Sequence, residues 1–160
     1  MVRIVIILAL VLVQALVGIP EYMYGGNYWL RALTYSFYHA NWWHLAVNGL
    51  ATFSIYKSCK PCRDLLFPFL IAVIVYPLSF KPVIGFSNIL YATLGSRTPA
   101  LSSPWWKQPQ VIVFLVVTIA LVFVPRFSAT THIAAFIMGM GTASVRRFHQ
   151  RLLRDAGRYL

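Results

Sequence analysis

Side chains able to do covalent chemistry are scarce in this chain, and they fall in three short stretches. The first, YHANWWHLAVN over Tyr38 to Asn48, carries His39, His44 and Asn48 at the start of an apolar segment. His44 and Asn48 are four residues apart, so a helix there presents both on one face. The second stretch is GFSN, with Ser87 heading another apolar run, and the third is TTHIAA, with His132 heading the last. A hydroxyl, imidazoles and an amide are the parts of a nucleophile, a general base and donors to an oxyanion.

The acids narrow the mechanism. Glu21, Asp64 and Asp155 are the only carboxylates, and none lies inside an apolar run. Paired-carboxylate hydrolysis therefore has no residues to work with. A zinc hydrolase of the HExxH kind is excluded because that pattern is absent. A Ser-His-Asp triad lacks its buried acid, which leaves a serine activated by a histidine alone. Ser87 near a helix start would develop negative charge beside unpaired backbone N–H groups and the positive end of the helix dipole. His132 would take the serine proton and return it to the leaving amine. His44 and Asn48 would both point donors at the oxyanion, and Tyr91, one turn after Ser87, is placed to pack on His132.

The elements that must position these residues are apolar. The chain of 160 residues is 59% hydrophobic and 11% charged, against about 25% charged in ordinary globular domains. This composition predicts an all-α, polytopic membrane protein with one six-helix domain over 1–145 and a basic cytoplasmic tail over 146–160. The expected spans are Ile4 to Ile19, Trp42 to Tyr56, Leu65 to Phe80, Val83 to Gly95, Val111 to Val124 and Thr130 to Val145. The fourth is too short to cross a ~30 Å hydrocarbon core from its surface, so it is expected to start at depth after an irregular, protein-surrounded stretch.

All but three of the 14 Lys and Arg fall on one side of this topology, the exceptions being Arg31, Lys81 and Arg126. The positive-inside rule then places both termini in the cytoplasm, as for a multi-pass protein of a bacterial inner (plasma) membrane. The second, fourth and sixth spans all start on the outer side, which sets His44, Asn48, Ser87 and His132 at one depth. The net charge of +11 is read as orientation and contact with anionic lipid headgroups, not as a nucleic-acid surface. The tail, with Phe148, Leu152 and Leu153 spaced for one face, is expected on a membrane leaflet. The pair Cys59 and Cys62, a lone CxxC, is read as loop chemistry. Tyr35, Trp42 and Trp43 are read as interface anchors.

At these residues the chain resembles the rhomboid family of intramembrane serine proteases. The match rests on HANWWHLAVN from His39 to Asn48, on GFSN around Ser87 with Tyr91 and Gly95 following, and on His132 leading a small-residue face. The resemblance implies a six-helix core, a Ser87 and His132 dyad, an oxyanion site from His44, Asn48 and the Ser87 backbone, and His39 as a structural neighbour. It also implies cleavage of single-span membrane proteins near the outer face, often after a small residue, with no cofactor and no metal. Arg31 fits the arginine of the family's first-loop Trp-Arg motif, with Leu30 at the tryptophan position. Asn88 stands where the family usually has glycine, and Ala134 and Ala135 stand where glycines are common. Two further readings stay open. One is a rhomboid-like protein that binds transmembrane helices without cutting them, motivated by Asn88. The other is a haem-binding or transport protein using His39, His44 and His132.

Overall fold

The computed structural model describes residues 1–56, 61–79, 83–97, 109–122 and 128–156. The described residues form α1 (Val2–Leu16), α2 (Tyr22–Gly25), α3 (Tyr28–Thr34), α4 (Trp42–Ile55), α5 (Pro61–Val75), α6 (Ser87–Arg97), α7 (Pro109–Val122) and α8 (Ala129–Ala156), with single 3-10 turns at Tyr35–Phe37 and Tyr76–Leu78. Cys59 lies outside the described residues, as do Lys57, Lys60, Lys81, Lys107 and Arg126.

α1 and α5 stop before the ends of the apolar runs they occupy. α1 ends at Leu16, where the Gly18 N–H turns back to the Val13 carbonyl at 3.2 Å with Gly18 at φ 62. Only glycine takes that backbone at no steric cost, and Pro20 follows it. α5 gives way at Tyr76 to a 3-10 turn with Pro77 in its opening positions. Helices of 14 or 15 residues, such as α1, α4, α5 and α7, are about 22 Å long at best, less than a ~30 Å hydrocarbon core. α8 is longer at 28 residues, but its second half carries Arg146, Arg147, Arg151 and Arg154. Among the described residues no helix is long and apolar enough to cross a membrane.

The six-span membrane bundle expected from composition is corrected accordingly, and with it the multi-pass placement in a bacterial inner membrane. The physical reason is that hydropathy measures apolar content without marking where helices stop. The runs include the turns at Val17 to Ile19 and Tyr76 to Leu78. Part of the apolar content faces outward, as at Leu8, Leu12, Leu50, Ile74, Val116 and Ile137.

α6 is the centre of the packing. Every residue from Asn88 to Gly95 is buried, and α8 and α5 lie against it. α6 and α8 run side by side in the same direction, with small residues at the seam. A Cβ on Gly95 would strike the Phe136 carbonyl, and one on Gly139 would strike the Ala92 carbonyl. Ala92 and Ala135 are fully buried in the same seam, so two helical backbones approach at a distance only small residues permit. α1 packs on α4, where Arg3 lies 3.9 Å from the Phe53 ring centre and donates to the Phe53 carbonyl at 3.2 Å. α8 passes from Val145 to Arg146 without a break, so the expected 1–145 and 146–160 segments share one helix.

Candidate active site

Three helix starts converge. The Asn41 side chain caps α4 by accepting from the His44 N–H at 2.8 Å, an arrangement that fixes the first turn. His44 and Asn48 then project from one face, one turn apart. α6 begins at Ser87, after an irregular approach over 83–86 whose Val83, Gly85 and Phe86 are buried. α8 begins at Ala129, which places His132 in its first turn.

Ser87 and His132 meet across the α6–α8 seam, with Ser87 Oγ 2.7 Å from His132 Nε2. The other ring nitrogen, Nδ1, lies 2.6 Å from the Ser128 carbonyl oxygen. A carbonyl only accepts, so Nδ1 carries the hydrogen and Nε2 is left as the acceptor for the serine hydroxyl. A backbone carbonyl one turn upstream thereby orients the imidazole, the task a buried carboxylate has in a triad. The Tyr91 ring packs edge-on against His132 at 4.8 Å and 74°, and its hydroxyl is hydrogen-bonded to Thr118.

His44 and Asn48 converge on the backbone just before the serine. Gly85 has φ 119, and a Cβ there would sit 2.6 Å from His44 Cε1, 2.8 Å from its Nε2 and 3.3 Å from Asn48 Nδ2. The polar tips of both side chains therefore touch the Gly85 turn, two residues ahead of Ser87. Asn48 is 4% exposed, and among the described residues its Nδ2 has no hydrogen-bond partner. A buried, unpaired donor costs about 1–3 kcal/mol, a cost expected where the donor serves a group that arrives later.

His39 supports this turn. It is fully buried, its Nε2 accepts from the Phe86 N–H at 3.5 Å, and its ring lies edge-on to His44 at 5.1 Å. Burial, and after it the neighbouring His44, brings the His39 imidazole down to about 3. Burial also lowers His44. His132 is brought to about 4 by burial; the Ser128 carbonyl pulls it back upward and His44 lowers it again. All three rings are neutral at pH 7, as a general base must be.

Some functional positions escaped the sequence reasoning. Tyr35, expected as an interface anchor, is instead fully buried. Its carbonyl accepts from the Gly85 N–H at 3.0 Å, and its hydroxyl donates to the Ala72 carbonyl and accepts from Asn88 Nδ2, both at 2.9 Å. Burial pushes that phenol up to about 12, so it stays protonated and keeps donating. The Asn88 side chain, at the position where the rhomboid family usually has glycine, is engaged in this bond. Ser128 gave no sequence signal beyond standing one turn before His132. Trp42 and Trp43 are exposed, and His149 lies on the exposed part of α8. Among the described residues no three His, Cys, Asp or Glu side chains gather as a metal would require.

No known protein family matches the chain, and no curated protein is similar enough to count as a relative.

Proposed function

We propose that this protein is a serine endopeptidase working through a Ser87–His132 dyad. The observation that carries the reading is the 2.7 Å contact between Ser87 Oγ and His132 Nε2, with Nδ1 held on the Ser128 carbonyl. Nucleophile, base and orienting group stand in hydrogen-bond series, the arrangement that activates a hydroxyl. Ser87 Oγ attacks the substrate carbonyl carbon while its proton passes to His132 Nε2. The oxyanion is met by the N–H groups opening α6 and by His44 and Asn48, each such donor contributing about 10²–10³ in rate. The C–N bond then breaks as His132 protonates the leaving amine. Water, deprotonated by His132, cleaves the acyl ester and restores Ser87.

The resemblance to rhomboid proteases supports a substrate class of single-span membrane proteins, cut after a small residue in a segment that unwinds easily. The turn of Asn88 toward Tyr35 favours this reading over a non-cutting helix binder, because the side chain does not obstruct the nucleophile. The test is covalent labelling by a fluorophosphonate probe. Wild-type protein should label at Ser87, Ser87→Ala should not label, and His132→Ala should label at least 100-fold more slowly. Equal labelling of wild type and Ser87→Ala overturns the assignment.

A further inference from the structure

A cavity of about 250 Å³ lies at the far end of α6, between α5, α6 and α8. Its α6 lining, Thr93, Ser96 and Arg97, is about 9 to 15 Å along the helix from Ser87, and neither Ser87 nor His132 lines it. Its lining includes Arg97, Arg146, Arg147 and Gln150 together with Phe67 and Ile71. The Arg146 guanidinium stands 5.6 Å from the centre of the Phe67 ring. Arg97, which lines the cavity from α6, lies 5.7 Å from the Tyr56 ring centre and donates to the Ile55 carbonyl.

Three arginines line this one cavity, and positive charges brought together repel unless an anion stands between them. The chain itself is poor in such anions, with three carboxylates against 14 basic residues. Among the described residues neither the Arg146 nor the Arg147 guanidinium has a hydrogen bond or an ion pair. Forked guanidinium donors on two helices suit the several oxygens of a phosphate, and the apolar wall suits a ligand with hydrocarbon attached. We propose that this cavity binds a phosphate ester, joining the C-terminal end of α6 to α8.

The test uses the full chain in a non-ionic detergent, titrated with dihexanoyl-phosphatidylglycerol, glycerol phosphate and inorganic phosphate. Binding is read by calorimetry and by the shift in Tm. The Arg146→Gln/Arg147→Gln pair is expected to weaken saturable binding at least tenfold, while the equally charged control pair Arg151→Gln/Arg154→Gln changes it less than twofold. Binding of phosphatidylglycerol alone identifies a phospholipid as the source. Equal binding of glycerol phosphate identifies a soluble phosphate ester. No saturable binding of any probe overturns the proposal, and so does an equal loss in both variant pairs, which would mark diffuse charge attraction. Should the double variant fold poorly, Arg147→Gln alone is expected to weaken binding at least threefold, and an unchanged affinity overturns the proposal.

Discussion

Replacing Gly85 by alanine probes how the helix starts are coupled, because the atoms nearest a Cβ there belong to His44 and Asn48, the proposed oxyanion donors. Two costs follow from the structure. An L-residue at φ 119 is strained, by about 1–3 kcal/mol. The new Cβ would also stand 2.6 Å from His44 Cε1 and 2.8 Å from its Nε2, so the imidazole must give way. Misplacing a catalytic group by about 1 Å costs on the order of 10²-fold, and losing one oxyanion donor costs about 10²–10³. Gly85→Ala is therefore expected to lower kcat by roughly 10²-fold with little change in KM, since the loss falls on the transition state. The assay is cleavage of a single-span substrate in detergent, normalised to folded protein by circular dichroism, for Gly85→Ala, His44→Ala and the double variant. If alanine acts by displacing His44, the double variant is no slower than the worse single variant. Fully multiplicative losses, or wild-type activity in Gly85→Ala, would refute the reasoning.

Other outcomes follow from the same geometry. Asn88→Ala loses the bond to Tyr35 Oη and should cost about 1–3 kcal/mol by urea denaturation, while kcat per folded molecule stays within about threefold of wild type. Gly95→Val drives a side chain into the Phe136 carbonyl and should lower both Tm and activity, because the same seam aligns Ser87 with His132. Gly141→Ala, with nothing within 4 Å of the new Cβ, should be neutral or stabilising by up to about 1 kcal/mol. A protonated His132 cannot accept the serine proton, so kcat/KM should persist at pH 5.5 and fall only as pH approaches the lowered value of about 4. The buried His39 and His132 are lowered relative to the unfolded chain. The unfolded state thus binds more protons below pH 6.5, and stability should fall from there toward pH 4, by on the order of 1 kcal/mol per pH unit for each histidine. A flat stability profile across that range would contradict their burial as neutral rings.

What the sequence determined by itself was which side chains are candidates for the proposed chemistry. Residue type and spacing are local properties, so a helix through His44 and Asn48 had to present both on one face. The lack of any acid inside an apolar run left histidine as the only base for Ser87. Tertiary structure decided which groups complete the site, because the partners are remote in the chain or belong to the backbone. The Ser128 carbonyl that orients His132 is a group every residue carries, so no residue type announces it. The direction of Asn88 depends on a Tyr35 hydroxyl 53 positions away, and the value of Gly85 depends on His44 and Asn48 reaching its turn. Element lengths were the weakest inference, since apolar content does not show where Gly18 or Pro77 ends a helix. Those ends separate the continuous apolar runs of the sequence from the shorter α1 and α5.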